Sequence, residues 1–351
     1  MRKVSVGIAL ILCIAMLAGL LAGCNGDSGA GDEDRVFEMN VNFTVSEASA
    51  RNIVEWLEGI QEESNGRISF NFYFSNSLMA IPEIPRGLHS GIADISQLPL
   101  PNFPSQFPLN TRLLQLPFMG LGDINKATEV FNQIFNEFDE LPAELAASGI
   151  MMLTANSFSP YHIHLRNPVD IREPADLAGL RLLTQKAEVA QVIANNRGAP
   201  VELPPPEFFS TLDRGVADGF VNMFGFLTMF GVYELIDAHI VFGDVGFFTD
   251  FTMVVIRLET FNQLPPDLQR LFTDSAPAMQ AAEIGHLSGM NAHALQRARD
   301  MGSTIVELTP QEIDVWKQAA LPVHEATIAE LEGLGLTNVR AIYERILELA
   351  S

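Results

Sequence analysis

Few residues in this chain are spaced for chemistry. His162-Ile163-His164 puts two imidazoles on one face of a strand, which could begin a metal site. The remaining ligands would have to come from a CxxC or HExxH spacing. Neither accompanies the pair, so no metal is expected. Gly120 and Gly122 lie in Met-Gly-Leu-Gly, which lacks the phosphate-loop pattern and reads as a turn. No Gly-x-Ser-x-Gly elbow is present. Glu62 and Glu63 fall at the end of a helix and read as solvated charge rather than as an acid–base pair. The two cysteines are Cys13 and Cys24, both close to the N-terminus. A folded domain beyond them has no thiol nucleophile and no disulfide. Neither catalysis nor a cofactor is expected.

Cys24 has a different chemistry. Arg2 and Lys3 precede an apolar run from Val4 to Leu21, and Leu21-Ala22-Gly23-Cys24 ends it with small residues against a cysteine. That is the pattern of a lipoprotein leader, residues 1–23, cleaved to leave an acylated Cys24 as the mature N-terminus. Acyl chains there hold a protein at a membrane surface, each buried CH₂ being worth about 0.8 kcal/mol. Residues 24–35 are Gly, Asp, Ser and Glu without apolar periodicity and read as a flexible tether. The formal net charge is −22, and loss of Arg2 and Lys3 with the leader makes it −24. Nucleic acid and anionic membrane surfaces are therefore poor partners.

The roughly 315 residues that follow exceed one comfortable core and suggest two lobes. Strand Phe37–Phe43, a helix with stripe Ile53, Trp56, Leu57 and Ile60, strand Arg67–Phe74, a short helix near Glu83–Ser90 and strand Ala93–Gln97 follow in order. Ser46 is placed to cap the first helix. This β-α-β-α-β order implies parallel strands and an α/β lobe. A helix over about Ile124–Ser148 and strand Ile150–Ala155 continue it. The chain then crosses near Ser157–Ser159 and returns near Gly246, with strand Phe251–Arg257 rejoining the first sheet. Pro265-Pro266 opens a long helix to about Met301, which Pro277 should kink or split. The expected division is 36–157 with 248–288 as the first lobe, and 158–247 with 289–351 as the second.

Residues 176–223 read strand (Leu180–Thr184), helix (Lys186–Arg197), strand (Pro200–Glu202), helix (Glu207–Gly215) and strand (Asp218–Asn222). This segment is similar to the core signature of the solute-binding proteins of TRAP (tripartite ATP-independent periplasmic) transporters. Other short motifs fall in the same order: Ser64-Asn65-Gly66-Arg67-Ile68, Gly91-Ile92-Ala93-Asp94-Ile95, Leu116-Pro117-Phe118, Asp218-Gly219-Phe220-Val221-Asn222 and Leu264-Pro265-Pro266-Asp267-Leu268-Gln269. Each is weak alone; their order and spacing are specific. The resemblance implies a two-lobe α/β fold of periplasmic-binding-protein type, with hinge strands and a long helix spanning both lobes. It further implies an extracytoplasmic receptor that traps a small molecule and delivers it to small and large TRAP membrane subunits. A ligand sensor of the same fold feeding a signalling partner is the alternative.

In the resembling family an arginine on the signature strand grips a substrate carboxylate, since its planar fork makes two parallel charge-assisted bonds. Leu183 holds that position here, the second family arginine falls near Pro160, and Val221 replaces a glutamate. Either another cation substitutes or the ligand is not a simple acid. Arg181 shares a strand face with Leu183 and is the obvious substitute. The blander reading, a solvated arginine where the family has lysine, is the favoured one. Asn222, Glu83, Gln97 and Asn156 are candidate polar contacts at strand ends or helix starts. Among many phenylalanines, most of them core, Phe158, Phe224 and Phe247 are the candidate apolar walls.

Overall fold

The computed structural model describes residues 35–351; the expected leader, the tether up to residue 34 and Cys24 lie outside the described residues. Buried Phe37, Met39 and Val41 alternate along β1 (Phe37–Asn42) and give it one core face. The buried stripe Ile53, Trp56, Leu57 and Ile60 lays α1 (Arg51–Glu63) against that core. Ser46 does not cap this helix. It accepts the backbone N–H groups of Ser49 and Ala50 in a turn ahead of it. Then come β2 (Ile68–Tyr73), α2 (Ile84–His89) and β3 (Ile95–Pro99), and β1 pairs in parallel with both strands.

The single helix expected over 124–148 is two, α3 (Ile124–Glu137) and α4 (Glu140–Ala147). Pro142 has no N–H to give and is tolerated in a first turn, so a new helix begins just ahead of it. β4 (Ile150–Ser157) leads to the second lobe. There β5 (His162–Leu165), β6 (Arg181–Thr184), α5 (Ala187–Asn195), β7 (Ala199–Glu202), α6 (Phe208–Asp213) and β8 (Gly219–Asn222) follow the sequence reading closely. Two elements are additional: α7 (Phe224–Met229) and β9 (Ala238–Val241). Both are short, and neither is long enough for apolar periodicity to declare its type.

The chain returns through β10 (Phe251–Arg257), α8 (Leu258–Gln263), α9 (Pro266–Asp300), β11 (Thr304–Glu307), α10 (Pro310–Gly333) and α11 (Val339–Ala350). The first sheet has the order β2-β1-β3-β10-β4, with β10 antiparallel to both neighbours; the second has the order β11-β9-β5-β8-β6-β7. Alternate residues of β10 feed two cores, Met253 and Val255 into one and Val254 and Ile256 into the other, so the first sheet is covered on both faces. The second lobe has one core built around β5, β6 and β8.

Two long helices join the lobes. α9 is continuous through Pro277, about 52 Å at 1.5 Å per residue. Pro277 deprives only the carbonyl one turn back of its donor. Ala276 and Met279 on either side of it are packed into the first lobe's core, and Ala294 and Ala298 into the second's. In α10, Ile313, Trp316 and Val323 belong to the second core but Ile328 and Leu331 to the first, as do Ile342 and Ile346 of α11. The side chains beyond about Thr327 thus pack with the first lobe, whereas the sequence division put all of 289–351 with the second.

Candidate ligand-binding cleft

Two chain crossings form the hinge, and they are paired. Phe158 N–H donates to the Asp250 carbonyl, Tyr161 N–H to Phe248 and Phe247 N–H to Tyr161, continuing the β4–β10 ladder into the second lobe. Because β5 starts at the crossing and runs antiparallel to β8, the carboxyl ends of β8 and its parallel neighbour β6 turn toward the first lobe. The carboxyl ends of β1, β2 and β3 lie opposite. Ligands of open α/β sheets bind outside such ends.

The candidate residues divide by location. At the first lobe's edge Gln97 Oε1 accepts from the backbone and hydroxyl of Thr44, both at 3.2 Å. Asn156 is buried on β4 beside the hinge, and half-buried Phe158 lies in the crossing itself. Glu83 is exposed at the start of α2, 3.4 Å from Arg86. On the other side Asn222 is buried, its Oδ1 accepting the Met223 N–H at 2.9 Å. Leu183 is fully enclosed in the second core. Phe224 packs on His162, His164 and His239, and Phe247 on Phe118, Phe242 and Trp316, so both rings are core.

Arg181 begins β6, at the end remote from the cleft. Asp218 takes two bonds from its guanidinium, at 2.9 and 2.7 Å, and one from its backbone N–H at 2.8 Å. Those hydrogen bonds hold the Asp218 carboxyl below its usual range. Arg181 therefore already has its carboxylate.

The cation at the cleft end of β6 is Lys186, which sequence reasoning missed. Its side chain is 8% exposed. Nζ donates to Gln115 Oε1 at 2.6 Å and to the Thr111 carbonyl at 3.1 Å, both in the first lobe. It lies 3.8 Å from Asp250 Oδ1 on the returning crossing and 5.9 Å from the centroid of the Phe248 ring. Burial pushes the Lys186 ammonium down and the Asp250 carboxyl up, each shift opposed by the other's charge. The Tyr161 phenol lies against the same carboxylate, and burial raises it. Two atoms here have no partner: Gln115 Nε2 and Asp250 Oδ1. A buried donor or acceptor left so costs about 1–3 kcal/mol. One turn away Arg112, on a wide turn at Leu109–Leu113, donates to Glu188 of α5 at 2.8 Å and clasps Glu330 of α10 with two bonds at 2.7 and 2.8 Å. Two sequence signals mark this seam. Lys186 is one of only four lysines, and Asp250 is an acid set in Phe-Phe-Thr-Asp-Phe.

The two strand histidines are structural. A carbonyl can only accept, so His164 Nε2–H donates to Asn222 O at 2.9 Å and His164 Nδ1 is left as an acceptor. At 2.6 Å from it, His239 Nδ1 must carry the hydrogen. His162 Nδ1 accepts the Phe242 N–H at 3.3 Å. All three rings are neutral: burial pushes His162 down to about 3, His239 down to about 4, and His164 well below its ordinary value. With both nitrogens of His164 committed, the pair cannot begin a metal site. Among the described residues no group of three or more His, Cys, Asp or Glu is placed to hold one.

Relatives share this architecture. Over 230 residues the chain is 22% identical to the ectoine-binding periplasmic protein TeaA of Halomonas elongata, spanning 65% of this chain and 66% of that protein, just under two thirds of its length. A TRAP solute-binding protein from Rhodoferax ferrireducens, crystallised with copurified benzoate, superposes with a TM-score of 0.77 at 20% identity over 90% of this chain and 98% of its own. One from Roseobacter denitrificans with bound β-D-glucuronate gives 0.74 at 18%, over 89% and 99%. At these identities the likeness establishes the fold. Residues 42–331 match DctP, the bacterial extracellular solute-binding proteins of family 7. With its lobes, hinge and long helix in place, the chain belongs to that family of bacterial extracellular solute-binding proteins.

Proposed function

We propose that this receptor closes its lobes on a small solute that is not a simple carboxylate, and hands it to the small and large membrane subunits of a TRAP transporter. The observation that carries the ligand reading is the end of β6. Leu183 is enclosed in apolar core where the resembling family places its carboxylate clamp, and Arg181 is bound to Asp218. An enclosed carboxylate without a clamp keeps an uncompensated charge, which costs several kcal/mol. Benzoate and glucuronate, the ligands named for two relatives, are anions; ectoine, named for TeaA, carries both signs of charge. The third kind fits this cleft edge better, because its charged groups are of both signs. The same reading places an acyl group on Cys24 and the folded chain at the outer face of a membrane.

A thermal-shift screen with succinate, benzoate, glucuronate and ectoine tests the ligand class. The expected result is a clear rise in Tm with ectoine or another small zwitterion and little with succinate. Tight succinate binding would overturn it. For the anchor, intact mass of protein purified from its native membrane should show a lipid-modified Cys24; an unmodified cysteine there removes that part of the reading.

A further inference from the structure

Lys186, Asp250 and Gln115 meet in a buried contact between the lobes, one from each part of the molecule: Lys186 at the head of α5 in the second lobe, Gln115 in the first, Asp250 in the hinge. All three are buried, at 7%, 6% and 1% exposure. Their polar atoms are incompletely used. Lys186 Nζ has three hydrogens and two acceptors within bonding distance, and at 3.8 Å Asp250 Oδ1 is too far to be a third. Gln115 Nε2, on the amide whose oxygen meets Lys186, has no acceptor, and Asp250 Oδ1 has no donor. Two unused donors and one unused acceptor are therefore gathered around Lys186 where the lobes touch.

We propose that these residues form a subsite for a zwitterionic head group, a carboxylate with an N–H cation beside it. The carboxylate is received by Lys186 Nζ and Gln115 Nε2, and its neighbouring N–H donates to Asp250 Oδ1. In this arrangement the head group supplies the acceptor and the donor that these buried atoms lack. A bare carboxylate satisfies the first pair but lies against the Asp250 charge, and a quaternary ammonium carries charge without a hydrogen to give. Phe248, whose ring centroid lies 5.9 Å from Lys186 Nζ, contributes a ring face to the same subsite. This assignment rests on the receptor reading above and specifies which end of the solute enters first.

Calorimetry on the full mature protein with three probes tests it: ectoine (carboxylate with amidinium N–H), glycine betaine (carboxylate with no N–H) and benzoate (carboxylate alone). The expected order is ectoine tightest, with the other two weaker by tenfold or more. Lys186→Met should weaken ectoine by a hundredfold or more and Lys186→Arg should restore most of it. Asp250→Asn should weaken ectoine by tenfold or more while improving benzoate. Since either single change leaves a buried charge alone, the double variant Lys186→Met with Asp250→Asn serves as the charge-balanced form, checked by its melting curve. Loss of ectoine binding in that folded double variant supports the subsite. Benzoate bound as tightly as ectoine by the unaltered protein, ectoine affinity unchanged in the folded variants, or no probe bound at all overturns it. In the first two of those outcomes binding itself leaves the receptor reading standing.

Discussion

Arg181 and Lys186 stand at opposite ends of one short strand, and that separation decides what each can do. Arg181 is clasped by Asp218 at a part-exposed edge. Arg181→Ala should therefore leave ligand affinity within about twofold, and calorimetry on the two proteins measures it; a large loss would return Arg181 to the cleft. The histidines give a second expectation. Free imidazoles titrate near pH 6.5, whereas His162, His164 and His239 stay neutral to about 3, well below 6.5 and about 4 respectively. As pH falls through 6.5 the unfolded chain takes up protons that the fold refuses, so this stabilisation is present above 6.5 and drains away toward 4. Glu144, Asp250 and Glu283, whose carboxyls burial raises, act with the opposite sign near the lower end. Melting curves should show Tm lower by several degrees at pH 5 than at pH 7; a flat or rising profile would contradict the tautomers derived above. Lys186 was not legible in the sequence because a lysine is almost never buried unless paired, and its partners lie about 65 to 75 residues away.

At the scale of elements, the loop of Leu116-Pro117-Phe118 is a further contact between the lobes. Phe118 has a left-handed backbone at φ 59°, a costly conformation for a bulky residue. The Phe247 carbonyl holds its N–H at 2.8 Å, and its ring enters the second core against Phe242, Phe247 and Trp316. Phe118→Ala should lower stability by about 3–5 kcal/mol in denaturant unfolding, far more than a loop residue would. Nearby Gly122 presses on the backbone of Asp244 and Val245, where a methyl would collide with the Asp244 carbonyl. Gly122→Ala should cost about 1–3 kcal/mol and bias the lobes toward opening. Strands and amphipathic helices of the fold were readable because their periodicity repeats over several residues, as in β10 and α1. The short α7 and β9, and the break between α3 and α4, were not, because local signals there are outweighed by packing. Gln97 and Asn156 could be placed at strand ends from sequence alone, but the buried contact of Lys186 with Gln115 and Asp250 could not, since those residues meet only through tertiary structure.

Over the whole molecule, two paired crossings and two bridging helices join the lobes, and rotation about that hinge is the motion expected on binding. Small-angle scattering should show a smaller radius of gyration on saturation with a bound solute. An unchanged radius with a ligand shown to bind by calorimetry would mean that the partner cannot read occupancy from shape.

The return of α10 and α11 to the first lobe has a consequence for how the chain matures. Ile342 and Ile346 complete a core that also contains Ile84 and Leu98, so that lobe cannot finish until residues roughly 250 positions apart in sequence have met. Such pairings make folding slow. A chain emerging from a ribosome or passing through an export channel would remain threadable until its final helices were free. Late closure of the first lobe would thus act as a timer, keeping the receptor unfolded for as long as it still has a membrane to cross.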